Sequence, residues 1–536
     1  MAAQADRRVS GLHVRLSRPA GTVHPAVLDR RMRDLLVLGL SALIPAALAL
    51  GITIEFPGLS VPLILGMVAA VIGVLAFVID SRLEVTVFVL AVYLGLLNGP
   101  VKLGVGSHEL TGAIPDILIA AICAGALMRM VVRRERPRTP PLSAWVLAFV
   151  GTVVIEAFNP KTQGVLKIAG GFRQELQWVA FFFFGYILMR SKRRLRVFFI
   201  IVAVCASANA VVASYQTSLA PSQLASWGPG YRALYQPLSV GKSASGARVY
   251  SAEGESHARP VGLGSDSGFS GGIGELALPF SLALFAIWRG RRRWLAAALA
   301  LSALVGVAAG LGRLQVITAV LGVIAFVALA TLGGQSRRAL VAALTVGLVA
   351  IPLGAAYVSL LKPGTFRRYE SLESSSASEL ATHKEGAYRL IPHELEAAPF
   401  GVGLGTVGAV AGFGGRAEQL LEGHGVSAET QYNLLADEVG APGLVAWSLL
   451  SIYVIAVIVL GMRRIRDPEL VLLLAAASAP FCILPITGTS GPFSVSPAAG
   501  SYYWFAIGIA AYWFAGGRRR ANVPSTRSSL ASAAAA

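Results

Sequence analysis

The chain has 536 residues and a formal net charge of +18, yet only 14% of its residues are charged and 55% are hydrophobic. A soluble protein of this length carries about 25% charged residues. The composition excludes that class and points to an all-α integral membrane protein.

Residues 1–34 hold seven arginines but no apolar core followed by a small-residue cleavage site, so they read as a disordered basic cytoplasmic tail. Residues 35–515 read as one polytopic membrane domain. Apolar segments begin near Leu35, Val61, Val85, Ile114, Leu142, Leu176, Val197, Gly274, Trp294, Leu314, Ala339, Ala441, Pro468 and Ser501, about 14 in all, the third and sixth short. Most approach the roughly 20 residues that cross about 30 Å of hydrocarbon. Residues 516–536 read as a second disordered tail.

The basic tracts "RRERPR", "RSKRRLR", "RGRRR", "SRR", "RRIR" and "RRR" fall almost entirely in short connections between these segments. With the arginine-rich start placed inside, every tract lies on one side, which predicts both termini cytoplasmic. That placement argues against nucleic acid as the partner of the positive charge. Cys123, Cys205 and Cys482 fall far apart inside predicted spans, without metal or disulfide spacing, and read as packing residues.

This orientation leaves two long outer connections, residues 216–272 and 361–440. Loops of such length are usually functional. The first contains "RPVGLGSDSGFSGGIGE", with seven glycines between Gly254 and Gly274, the pattern of a backbone that turns tightly or approaches something closely. The second is expected to be partly helical. Ala387, Leu390, Ile391 and Leu395 mark one face of a helix that Pro392 should bend or interrupt, and "FGVGLG" stops it. Glu429, Tyr432, Leu435 and Val439 predict a further short helix over 428–439, ended by Gly440 and leading into the next span.

Single arginines on the outer side need reasons. Arg313 opens a span in "GLGRLQVITAV" with no acidic partner nearby in sequence. Arg389 lies on the loop helix, Arg259 begins "RPVGLG", and Arg173 in "GGFRQELQW" precedes a span. Snorkelling or pairing with a carboxylate accounts for any one of them. Several converging on one outer cavity would instead form a phosphate clamp, because guanidinium binds phosphate bidentately and keeps its charge. Phosphate at an outer-leaflet cavity points to a lipid-linked pyrophosphate.

Three pieces in order, "GLGRLQVITAVLG", "YRLIPHELEAAPFGVGLG" and "ETQYNLLADEVGAPGLVAW", resemble the O-antigen ligase and O-antigen polymerase family of polytopic bacterial glycan transferases. The resemblance covers about residues 156–460. It implies a glycosyltransferase in the bacterial cytoplasmic membrane, with its active site on the periplasmic or extracellular side. The implied donor is a polyprenyl-pyrophosphate-linked glycan, the acceptor a glycan or lipid hydroxyl, and no cofactor, metal or nucleotide sugar is used. A chain-length regulator is a further candidate partner, beside the membrane lipids. Arg313 matches the family's first arginine and Arg389 its second. The family's ligases then read His-Asn-x-Tyr-Leu; here the register set by Tyr432 and Glu438 puts Glu429 at the histidine, in "ETQYN". His424 lies five residues earlier, out of register.

In the mechanism this implies, Arg313 and Arg389, with Arg259 and Arg173 behind them, stabilise the pyrophosphate leaving group. Glu429, or His424 after it, takes the proton of the acceptor hydroxyl. Tyr432, Asn433 and Glu438 are expected to position the acceptor. Direct displacement would invert the anomeric centre. The acidic stretches show no spacing of a metal site. The alternative is a lipid-linked glycan flippase, whose charges and broken helices would lie mid-membrane; the predicted span centres are nearly free of charge.

Overall fold

The computed structural model describes residues 71–76, 78, 83–105, 108–134, 139–162, 164–235, 249–252, 255–360, 385, 388–410, 430–489 and 491–516. The expected span at Leu35, residues 61–70 of the one at Val61, residues 1–34 and 517–536, Ala387, His424 and Glu429 lie outside these residues, while 71–76 are helical.

The chain is a helical bundle. In order come α1 (Leu83–Val92), continued by a π-helical turn into α2 (Asn98–Val105), then α3 (His108–Arg133), α4 (Ser143–Glu156), α5 (Val165–Leu176), α6 (Ala180–Leu188) and α7 (Lys192–Thr217). Two short helices, α8 (Pro221–Ala225) and α9 (Pro229–Tyr235), precede the hairpin β1 (Val249–Ala252) and β2 (Glu255–Ala258). After these come α10 (Phe269–Ile287), α11 (Arg291–Ala309), α12 (Arg313–Leu332), α13 (Ser336–Leu360), α14 (Gln431–Met462), α15 (Pro468–Thr487) and α16 (Pro497–Ala510). A further helix covers 388–397.

Eight helices among the described residues are long and apolar enough to cross a membrane, against the expected 14. The segment near Leu142 is a helix of only 14 residues, and the one near Leu176 is split into α5 and α6, of 12 and 9 residues. Among the eight, α10 and α15 are 78% buried and the other six 28–44%. The two therefore form the axis of the bundle. Around them, side chains such as Val211, Leu348 and Ile155 point outward at 70–74% exposure, the arrangement that lipid contact requires. Phe199 stacks on Phe280 of α10 at 4.3 Å between ring centroids, and Phe198, Tyr502 and Phe505 close the cluster.

The helix starts carry the caps the sequence provides. The Ser191 hydroxyl accepts from Arg194 N, that of Thr430 from Asn433 N, and the Asp467 carboxylate from Glu469 N and Leu470 N, with Pro468 at the first helical position. The two ends of the bundle differ in chemistry. At one end the basic connections meet: Lys192 pairs with Asp467 at 2.9 Å, Arg194 with Glu84 at 2.6 Å, and Arg196 with Glu469. The Lys192 hydrogen bond holds the Asp467 carboxyl below its ordinary range. Glycines and loops occupy the other end.

The described residues of the expected 216–272 loop form α8, α9, the hairpin and a turn over 259–268. In the second loop the 388–397 helix runs through Pro392 without interruption. Leu390 faces outward at 38% exposure, so the predicted apolar face is only partly covered.

Candidate functional site

The glycine turn after β2 is fastened to α7 by two fully buried amides. Gln216 Oε1 accepts from Val261 N and Gly262 N at 3.1 and 2.8 Å, and its Nε2 donates to Gly262 O. Asn209 Oδ1 accepts from Leu263 N at 2.8 Å while its Nδ2 donates to Gly95 O. Gly99 lies so close to Gly264 that a Cβ on it would stand 2.2 Å from the Gly264 carbonyl oxygen. The turn closes where Gly268 N donates to Pro260 O and Gln315 Nε2 donates to Gly268 O. Arg259 precedes Pro260, its carbonyl accepting from the Tyr235 hydroxyl, and Arg313 is the first residue of α12, two before Gln315. The segments carrying these two arginines therefore meet at one turn.

Gln216→Leu would strand three buried backbone groups of that turn. It is expected to cost about 2–4 kcal/mol, read as a lower melting temperature in detergent. Ser218→Ala, at an exposed site bonded only within its own turn, should stay within about 0.5 kcal/mol. Equal melts for both variants would show that the amide does not hold the loop.

A second glycine loop, 399–408, rests on α4, α5 and the kink of α14. Val402 N donates to Asp437 O at 2.7 Å, Ala441 N to Pro399 O at 2.9 Å, and Asn159 Nδ2 to Gly401 O at 3.2 Å. Leu404 N donates to the Thr162 hydroxyl, and a Cβ on Gly171 of α5 would stand 2.5 Å from Leu404 Cβ. Glu438 is fully buried beneath the loop; its Oε1 accepts from Val407 N at 3.3 Å. Gln174 Nε2 donates to Val407 O at 3.2 Å. Burial raises the Glu175 carboxyl above its ordinary value. Burial also lowers Lys167, an effect the Glu438 charge opposes.

Above the first turn of α14, Asn433 Nδ2 donates to Glu394 Oε2 at 3.3 Å, and the Asp437 carboxyl lies beside that of Glu394. Tyr388 beside Arg389 donates to Thr489 O, and Tyr432 donates to Pro485 O. The 388–397 helix is thereby moored to the ends of both α14 and α15.

The expected residues are distributed as follows. Arg313 and Arg259 belong to the first turn. Arg389, 77% exposed, pairs with Glu385 on its own helix at 2.5 Å. Arg173 pairs with Asp116 of α3 at 2.9 Å and donates to Gly112 O at 2.5 Å, so its guanidinium is already engaged. Tyr432, Asn433 and Glu438 all lie on the start of α14, which begins at Gln431 rather than Ala428. Antiparallel packing of α12 on α15, with Gly333 against Val471 at the basic end, brings the Arg313 end of one level with the Thr487 end of the other. Arg313 and the Arg389 helix therefore share one end of the bundle.

Sequence reasoning missed Glu394, Asp437, Glu175 and Glu275. Glu275 lies inside a span and accepts from the Thr318 hydroxyl of α12. A lone glutamate in "GIGELALPFSLALF" was a legible signal, since intramembrane carboxyls are costly. The Glu394–Asp437 pair was not legible, because its members are 43 positions apart. No family model, curated protein or solved structure matches the chain.

Proposed function

We propose that this protein is a membrane glycosyltransferase. It moves or polymerises a glycan from a polyprenyl-pyrophosphate-linked donor onto an acceptor hydroxyl at the outer face of the cytoplasmic membrane, in the manner of O-antigen ligases and polymerases. The reading includes 14 spans with both termini in the cytoplasm. The observation that carries it is the division between the bundle's ends. Arginine tracts and their ion pairs occupy one end. The other holds both glycine turns, Arg313, Arg259, Arg389 and the Glu394–Asp437 pair. One-sided placement suits chemistry at one membrane face.

Arg313 and Arg389 would neutralise the charge that grows on the pyrophosphate as the anomeric bond breaks. Glu429, one residue before the Thr430 cap of α14, would accept the proton of the attacking hydroxyl, with His424 as second choice. Tyr432 and Asn433 on the first turn of that helix would position the acceptor, and Glu438 would hold the turn in place from beneath. Attack opposite the leaving group inverts the anomeric centre, and the scheme needs no metal.

The test is transfer in reconstituted vesicles supplied with lipid-pyrophosphate glycan from the native host. Loss of product in Glu429→Gln, with His424→Ala active, is the expected result. Full activity of Glu429→Gln would move the base elsewhere, with the Glu394–Asp437 pair next to be examined. The breaks at residues 177–179 and at Gly440, with Glu275 inside a span, favour a second reading as a flippase. Glycan that crosses the bilayer with no new glycosidic bond would establish it.

A further inference from the structure

Between α10, α11, α12 and α13 lies a cleft of about 500 Å³, lined among the described residues by apolar side chains and glycine. Its α12 wall includes Val316, Val320 and Ile324, which recur at helical spacing and form one stripe. One turn back, the same stripe begins at Arg313, the first residue of the helix. From Arg313 to Ile324 is about 16 Å along the axis, half the depth of a hydrocarbon core. The cleft therefore lies in the half of the bundle remote from the basic connections. Val320 and Ile324 are 55% and 57% exposed, so it opens sideways to the bilayer.

Small residues make the room. Ala343 and Gly347 stand one turn apart on α13, and a Cβ on Gly347 would meet nothing within 4 Å. The volume is about three times that of an apolar cavity that binds benzene. Water gains nothing there, because it needs polar partners. Unfilled, the lining would forfeit its dispersion contacts. A hydrocarbon chain entering from the bilayer supplies them.

The top of the stripe says what that chain carries. Gly312, before Arg313, gives α12 no side-chain cap. The first N–H groups of the helix, which have no partner within it, and its positive dipole end therefore stand with the arginine at the mouth of the cleft. Such a terminus suits an anionic head, phosphate above all.

We infer that this cleft receives the isoprenoid chain of the lipid-linked donor, whose pyrophosphate lies at Arg313. The units nearest the pyrophosphate run along Val316 and Val320, and Ala343 and Gly347 set the width on the α13 side. The identity of the lipid rests on the glycosyltransferase reading; the cleft itself does not.

The experiment is photocrosslinking of the full-length chain in nanodiscs. The probe is polyprenyl pyrophosphate with a diazirine in the isoprene units next to the pyrophosphate, and labelled peptides are mapped by mass spectrometry. Label is expected on α12 within 316–324 and on α13 within 343–347, displaced by unlabelled polyprenyl pyrophosphate. Gly347→Leu should reduce it at least about fivefold by overfilling the cleft. That substitution replaces a helical glycine and meets no backbone, so the variant should fold. Gly151→Leu, in α4 and outside the cleft, should keep the label. Label confined to other helices, or unchanged in Gly347→Leu, would overturn the inference. Displacement by phosphatidylglycerol as effective as by polyprenyl pyrophosphate would overturn it too, making the cleft a site for bilayer lipid. Transfer in vesicles separates the two readings. Label in the cleft without transfer sinks the glycosyltransferase and keeps the chain site, whereas transfer with label elsewhere sinks the chain site alone.

Discussion

Arg313→Ala is expected to lower the rate of glycan transfer by two to three orders of magnitude, about 2.7–4 kcal/mol of transition-state stabilisation. The reason is position as well as charge. Arg313 is the first residue of α12, so its guanidinium acts beside the unpaired N–H groups and positive dipole end of a 20-residue helix. The adjoining Gly268 turn is locked by Gln315 and, through Gly262 and Leu263, by α7, which limits how far the site can relax when charge develops. Arg313→Lys should recover part of the rate, since a point charge remains but the bidentate fork is lost. Arg389→Ala should cost less, because that side chain is 77% exposed and screened by water. Measured as initial rates in vesicles, an Arg313→Ala rate within threefold of wild type would remove this arginine from the reaction.

The largest expected effect on stability is that of Gly440→Ala. Gly440 has φ 61° and ψ −164°, a conformation essentially restricted to glycine. A Cβ there would stand 2.4 Å from Phe400 C and 2.5 Å from both Gly401 N and Pro399 O. All three are backbone atoms of the loop and cannot swing aside as a side-chain tip can. Strain and overpacking together are expected to exceed about 3 kcal/mol and to leave little folded protein in membranes. Gly151→Ala is the matched control: nothing lies within 4 Å of its Cβ position in α4, so it should be neutral or slightly stabilising. Similar yield and melting temperature for the two variants would show that the α14 kink does not depend on this glycine. The kink also points the Gln431–Val439 turns at the loop, so partial folding of Gly440→Ala should reduce transfer further than stability alone predicts.

Local sequence set much of the architecture. Apolar runs specified helices, because in lipid each backbone N–H and C=O must be satisfied within its own segment. Gly440 marked the break between the first turns of α14 and its apolar remainder, while the caps at Thr430, Ser191 and Asp467 are seen in the structure. Lone arginines at apolar boundaries were visible for the same reason. Helix length was less legible: the run near Leu176 reads as one hydrophobic stretch, yet it is split at residues 177–179, where the buried Gln174 and Glu175 of α5 turn toward Val407 and Glu438. The proline at 392 misled in the opposite direction. The helix over 388–397 accommodates its ring, which removes a single backbone donor.

By itself, then, the sequence determined the helical membrane class and the placement of arginine tracts and glycine turns, since hydropathy, caps and turn chemistry act over a few residues. The tertiary structure alone decided which carboxyls meet. Glu394 with Asp437, Glu175 with Glu438 and Arg173 with Asp116 join residues 43, 263 and 57 positions apart. Such pairs leave no periodicity in the chain, because they arise only when helix packing brings distant segments side by side.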